Sequence, residues 1–541
     1  MSAGTEQQPV AAPRARKPER ARRRVGLGVA ALHLGALWAF AVVQPLFDLL
    51  GGQAQFFVAR GSTAADIVVF AVGLTVVPPA LMAGAVWLAG RVRPAFGWWL
   101  HVALVGALAA AILLPPLGGL MGGAAVSLAV ALALGAALVA AYVRAAALRA
   151  FVSVLSPAPL LFLVLFLAFS PVAELVLPAG GAVAVAGSGS SDTPVVVVVF
   201  DELPTTTLLD ARGRVDAGRF PAFASVAADA TWYRDATTVA GRTTEALPAL
   251  LTGRRPRQDE LPTARHHPRS LFTLLGRSHR LAVVEPITDV CPQDLCSEAR
   301  PGMGRRLRSL ASDLRVVSAH LLLPDDLRDG LPPIDQDWQG FAGDDETPER
   351  VTVHQRIELR RGVGRALAHD DPAGAFARIE RAVDRSGSQP PLLFLHTSLP
   401  HAPWRFLPDG RRYAEQVTTI PGLVEGEWVG AQWLADQGFQ RHLLQTQYAD
   451  RLLGRLLRRL RASGLYERAL VVVTADHGVS FWRGDRRRKP TDGNLADVAS
   501  VPLFIKAPGQ REPRVERGAV RTIDLLPTIA RELGLRLQGP V

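Results

Sequence analysis

Cysteine is scarce in these 541 residues, with only Cys291 and Cys296, in DVCPQDLCSEA. Two cysteines make no zinc-finger spacing, and theirs is not the C-x-x-C of a thiol redox centre. Lysine is nearly as scarce: Lys17, Lys489 and Lys506 stand in a chain with 60 Lys and Arg together. With its wealth of alanine and glycine, that arginine bias is what a GC-rich bacterial gene encodes. No internal repeat is visible, which excludes solenoid and propeller arrays. Charge is thinnest between residues 25 and 178, where apolar residues run in long stretches.

These stretches lie near 26–50, 65–90, 96–115, 121–143 and 151–178. Each approaches or exceeds the roughly 20 residues a helix needs to cross a bilayer. A cleavable signal peptide would supply one such segment, not five. The expectation is an integral, multi-pass protein of the plasma membrane, with a five-span domain over 26–178. The basic tail of residues 1–25, RARKPERARRR at its core, belongs in the cytoplasm, as do loops holding Arg91, Arg93, Arg144 and Arg149. Everything after the fifth span is then extracytoplasmic, where a local Cys291–Cys296 disulfide is permitted; free thiols are the alternative. The formal charge of +11 owes much to the tail, whose residues 1–24 hold seven Lys/Arg against two Glu. Such a tail meets anionic headgroups, and no nucleic-acid partner is expected.

A Gly/Ala/Ser-rich linker over 179–193 leads to a domain at 194–541, long enough for a large core. PVVVVVF (194–200), RLAVVE (280–285), PLLFLHT (391–397), ALVVVTA (469–475) and VPLFIKA (501–507) read as strands covered on both faces. QTQYADRLLGRLLRRLRASG (445–464) reads as an amphipathic helix ending in glycine. The alternation predicts an α/β domain with a mainly parallel sheet.

In such sheets ligands bind beyond the carboxyl ends of the strands. Three of these strands end in chemistry: Asp201 and Glu202 after the first, His396 with His401 after the third, Asp476 and His477 after the fourth. Singly, each has a bland reading: the aspartates as turn formers, His401 as a residue packed on Trp404. Together they bring carboxylates and an imidazole to one point, a set that suits one divalent metal, Zn or Mn before Ca or Mg. TTVAGRTTEALPALLTGR (237–254) adds two hydroxyls, Thr243 and Thr244, ahead of a short helix that Gly253 would stop. Either threonine could cap that helix, or serve as a nucleophile beside its positive end.

Four blocks in order, VVVVVFDELP, TTEALPALLTGR, LHTSLPHAPW and VVVTADHGVSF, resemble the sulfatase / alkaline phosphatase superfamily over roughly residues 193–530. RTIDLLPTIA is similar to a segment near the end of that family's catalytic domain. The resemblance implies metal ligands at Asp201, Glu202, Asp476 and His477, with Thr243 at the nucleophile position and its hydroxyl also on the metal. Sulfatases carry there the first residue of C/S-x-P-x-R, converted to formylglycine; this chain reads T-T-E-A-L and lacks that motif. A threonine resembles instead the membrane-anchored phosphotransferases, among them lipoteichoic acid synthase and the lipid A phosphoethanolamine transferases. The implied reaction is metal-assisted attack of Thr243 on a phosphoester head group of an envelope lipid or glycan. Arg242, Lys489 and His401 would offset the charge, His396 or His401 would protonate the leaving oxygen, and Thr244 would be neighbour or cap. A sulfate-ester hydrolase of the same fold and a non-catalytic membrane scaffold are the alternatives. Donor, acceptor and oligomeric state are not indicated.

Overall fold

The computed structural model describes residues 26–121, 123–177, 187–257, 260–296, 302–324, 327, 331, 371–385, 387–413, 420–424 and 426–538. The basic tail, much of the linker and most of 300–390 lie outside them. The chain forms two compact units: Met1–Pro45 with Val72–Leu163 and Leu322–Asp326, and Leu46–Ala71 with Val164–Leu321 and Leu327–Val541.

Among the described residues five helices are long and apolar enough to cross a membrane: Leu27–Gly52, Ala64–Val92, Pro94–Gly118, Ala124–Arg144 and Ala146–Phe169. The last two differ from the expected 121–143 and 151–178. Only Ala145, in an extended conformation, separates them. The segment expected as a loop is alanine-rich and free of Gly and Pro, so helix is its lowest-cost state. Arg149 therefore sits on a helix, and its guanidinium donates to Tyr142 O and Val143 O at the end of the helix before it. In the first unit His33 Nδ1 and His101 Nε2 lie 2.6 and 2.9 Å from the Tyr142 hydroxyl, and His33 Nε2 lies 2.8 Å from Ser153 Oγ. Polar groups among apolar helices lower their cost by bonding one another.

The second unit holds a seven-stranded sheet. Its strands are β1 (Val195–Phe200), β2 (Thr231–Tyr233), β3 (Arg280–Val284), β4 (Pro391–Thr397), β5 (Leu470–Ala475), β6 (Leu503–Lys506) and β7 (Arg514–Glu516). The order is β7-β2-β6-β5-β1-β4-β3, with β5, β1, β4 and β3 mutually parallel and β6 antiparallel to both neighbours. Helices α1 (Pro221–Ala227), α2 (Thr243–Thr252), α3 (Pro372–Val383), α4 (Gln432–Ala462) and α5 (Leu525–Glu532) cover it.

The all-valine run of β1 explains the layering. Val196, Val198 and Phe200 face a core with Phe223, Phe376, Leu453 and Leu456 of α1, α3 and α4. Val195, Val197 and Val199 face another with Leu247 and Leu250 of α2 and Ile529 of α5. Successive side chains point to opposite faces, so a central strand with helices on both sides has no polar position. Helix α4 begins 13 residues before the expected 445. The short strands β2 and β7 were not legible as strands.

Candidate functional site

Strand register sets the site. Phe200 pairs with Thr397 on one side and Ala475 on the other, so β1, β4 and β5 end at one level. Asp201 and Asp476 follow at equivalent positions, and the Asp476 N–H donates to Phe200 O at 3.0 Å. Asp476 Oδ1 accepts the His477 N–H at 2.7 Å. The His477 Nδ1 faces Gly478 O at 2.9 Å, which places the proton there and leaves Nε2 as a lone-pair donor.

Ligand atoms of Asp201, Asp476 and His477 lie within 4.8 Å of one another, and all three residues are buried. Thr243 joins them, with Oγ1 at 3.4 Å from Asp201 Oδ1 and 3.5 Å from His477 Nε2. Thr243 is the first residue of α2, and Arg242 is its N-cap, with no side-chain capping bond. Neither threonine caps the helix; the buried Thr243 hydroxyl faces the acidic group instead, while Thr244 is half-buried. Gly253 ends the helix in the left-handed conformation, φ 70°.

The electrostatics call for a cation. Burial, then the charges of Asp476 and Glu202, push the Asp201 carboxyl well above its ordinary range. Burial also works against ionised Asp476, but His477, His396 and the Thr243 hydroxyl outweigh it and hold that carboxyl low. Asp201 Oδ2 and Asp476 Oδ2 are buried without a hydrogen-bond partner among the described residues. Such orphaned oxygens are costly, and two carboxylates with an imidazole nitrogen fit one divalent ion.

Glu202 stands differently from the expected ligand set. It is the one non-glycine residue with positive φ among the described residues, 57°. Its carboxylate turns to Arg487 Nη1 at 2.8 Å, His401 Nε2 at 3.3 Å and Arg488 Nε at 3.5 Å. Burial alone would raise this carboxyl; Arg487, His401 and Arg488 hold it well below the usual range. Burial lowers His401 to about 4 against the pull of Glu202. The His401 Nδ1 faces Ala402 O, and Nε2 also lies 3.4 Å from Arg488 Nη1. A ring donating through Nδ1 presents an Nε2 lone pair, a proton acceptor.

His396 is fully buried, 3.7 Å from Asp476 Oδ2. Lys489 and Arg242 are exposed. The Lys489 bonds run through its backbone, to Arg486 O and from Asn494 Nδ2, and neither expected cation is bonded to the cluster among the described residues. Arg487 and Arg488 are, although only Lys489 stood out in DRRRKP. Gln445 of α4 was also missed: its Nε2 donates to His401 O at 2.8 Å, and its Oε1 accepts the Arg405 N–H at 2.8 Å. Cys291 and Cys296 are joined as a disulfide.

The second unit is thus an α/β domain whose helix-covered, mainly parallel sheet holds a hydroxyl and an acidic cluster at its carboxyl edge. Residues 345–535 match the sulfatase family model. Among curated relatives, an endo-4-O-sulfatase of Bacteroides thetaiotaomicron is 23% identical over 28% of this chain and 30% of its own length. The multifunctional alkaline phosphatase superfamily protein PehA of Trinickia caryophylli is 34% identical over 16% of each chain. The chain thus spans under a third of the length of these relatives. Among solved structures, the lipoteichoic acid synthase LtaP of Listeria monocytogenes is 14% identical, covering 66% of this chain and 76% of that one, TM-score 0.36. The C-terminal periplasmic domain of Escherichia coli EptC, in complex with Zn, is 12% identical over 66% of this chain and 88% of that one, TM-score 0.39.

Proposed function

We propose that the second unit is a metal-dependent phosphoester transferase or hydrolase whose nucleophile is Thr243. The observation that carries this reading is a buried hydroxyl at a helix N-terminus, 3.4 Å from Asp201 Oδ1 and 3.5 Å from His477 Nε2. Asp201, Asp476 and His477 would hold one divalent ion, Zn or Mn before Ca or Mg. Bound there, it would lower the pKa of a neighbouring hydroxyl and polarise a phosphoryl oxygen.

Thr243 Oγ1 forms a bond to phosphorus as the ester's P–O bond breaks, leaving a phosphothreonine and a free alcohol. The hydroxyl proton passes by way of Asp201 Oδ1 to solvent, and the departing oxygen takes a proton from solvent, so the alcohol leaves neutral. The first turn of α2 points its free N–H groups at the incoming anion. Arg488, half-buried at the site, takes the charge-offsetting role expected of Lys489. His401, with its Nε2 lone pair, accepts a proton from the water or acceptor hydroxyl that resolves the phosphothreonine. His396 supports Asp476 from behind.

The five apolar helices would tether this domain outside the cytoplasm, where lipid or glycan head groups of the envelope are within reach. The sulfatase-type alternative finds no C/S-x-P-x-R at 243–247 to mature. The test compares full-length protein with Thr243→Ala on nitrophenyl phosphate, a nitrophenyl phosphodiester and nitrophenyl sulfate, with Zn²⁺ or Mn²⁺ added. The reading requires phosphoester cleavage by the parent alone, with bound metal largely kept in the variant. Selective sulfate cleavage, or full activity of Thr243→Ala, would overturn it.

A further inference from the structure

The outer face of α4 carries a second feature, away from the acidic cluster. Its C-terminal half, with the start of α1, walls a cavity of ≈ 490 Å³ whose lining includes Arg219, Arg451, Arg458 and Arg461. One acidic side chain, Asp450, lines it as well. That carboxylate is already used: it accepts the N–H groups of Ala222 at 2.9 Å and Phe223 at 2.9 Å, at the first turn of α1.

The four guanidinium groups are not equivalent. Arg461 is fixed in place by Ser225 Oγ at 2.8 Å, Asp229 at 3.6 Å and the face of Tyr466 at 4.4 Å. Arg219 reaches Asp216 at 3.6 Å. Arg451 and Arg458 are exposed, Arg451 with Asp409 near enough to feel its charge but with no ion-pair contact among the described residues. They stand seven positions apart, two helical turns, which sets their backbones about 10.5 Å apart along the axis. Gly454 lies between them, and an added Cβ there would sit 3.5 Å from Arg458 Nη1 and 3.3 Å from Ala222 Cβ. The missing side chain keeps the cavity floor open.

Cationic groups gathered in a cleft focus a positive field and favour an anionic occupant. A single small anion would meet one or two of these cations. A chain with an acidic group on successive repeats would meet Arg451 and Arg458 together, with Arg461 at the far end. The cavity is of the size that takes a small-molecule or sugar-sized unit. Helix α4 also connects the two places: Gln445 bonds His401 O, and Arg458 lies 13 positions further on, about 20 Å along the axis.

We infer that this groove binds an acidic polysaccharide bearing a carboxylate or phosphate on successive repeat units, at a site separate from the catalytic residues. Its recognition is electrostatic and requires no turnover, so it stands or falls independently of Thr243.

The test uses the full-length protein in detergent at low and physiological salt, with oligogalacturonate, polyphosphate, neutral dextran and inorganic phosphate as probes. Arg451→Gln/Arg458→Gln is compared with a charge-matched control on exposed residues, Arg514→Gln/Arg517→Gln, thermal melts confirming that both remain folded. Binding of oligogalacturonate at least tenfold tighter than dextran or inorganic phosphate is expected, weakening with salt. It should drop at least tenfold in the groove variant and less than threefold in the control. Polyphosphate has no sugar unit, so tighter binding of polyphosphate than of oligogalacturonate would mark a general polyanion site and overturn the inference. Equal loss in both variants, unchanged binding in the groove variant, or no preference over dextran would each overturn the inference. Thr243→Ala should bind as the parent does.

Discussion

The buried pair between Arg487 and Glu202 allows a quantitative test of how the site is held. Their closest atoms are 2.8 Å apart, and the side chains are 4% and 0% exposed. Replacing Arg487 by Met leaves Glu202 buried with its main counter-charge gone. Breaking such a pair by removing one partner costs about 3–5 kcal/mol. For a domain of this size that corresponds to a fall in melting temperature on the order of 10 °C. The sign with pH follows from the carboxyl. With Arg487 present, its pKa lies below the ordinary 4.5, so its contribution is present above 4.5 and fades as pH falls. Without Arg487, burial raises the pKa, and stability is lost as pH rises through the new value. The deficit of Arg487→Met should therefore be largest near pH 8 and shrink toward pH 4.5. Adding Glu202→Gln removes the stranded charge, so the double variant should melt above Arg487→Met. Thermal melts of the four proteins across pH 4.5–8 supply the cycle. Strict additivity of the two substitutions, or a melt of Arg487→Met within a degree or two of wild type at pH 8, would refute the reasoning.

Other residues give independent checks. Burial raises Asp450 from 3.8 to about 6, so wild-type stability should decline as pH climbs through that window; Asp450→Asn should lack this slope in a melt series. Gln445→Ala leaves the Arg405 and Phe406 N–H groups without their acceptor, Gln445 Oε1. That should cost about 1–3 kcal/mol and lower kcat by freeing the His401 segment, while metal content measured by mass spectrometry stays unchanged. A Cβ on Gly478 would lie 2.0 Å from Asp497 O. Gly478→Ala must therefore move the Asp476–His477 turn, losing about 1–3 kcal/mol in denaturation and most metal affinity.

Much of this was legible because it rests on residue patterns with one physical reading. Runs such as VVVVVF and LVVVTA can only be strands covered on both faces, and their ends carry Asp201 and Asp476 to the same level. Thr243 could be placed near them, though whether it capped α2 or faced the carboxylates was a question of backbone geometry. Glu202 shows where pattern stops: its left-handed backbone sends the carboxylate to Arg487, and nothing in FDELP signals that turn. Likewise DRRRKP offers four adjacent cations, and only the fold selects Arg487 and Arg488 over Lys489. The part of α4 before residue 445 escaped notice because its buried positions are Ala435, Gly438 and His442, where an apolar stripe would be sought. The boundary between the fourth and fifth apolar helices was misjudged because flanking arginines marked a loop where alanines sustain helix.

The most direct measurement is to incubate the full-length protein with Zn²⁺ or Mn²⁺ and a nitrophenyl phosphodiester, quench in acid, and map peptides by mass spectrometry. A covalent threonine mechanism predicts a substituted phosphoryl adduct on the peptide spanning residue 243, localised to Thr243 and absent from Thr243→Ala. Turnover of the phosphodiester with no adduct, or with the adduct on Thr244, would contradict it.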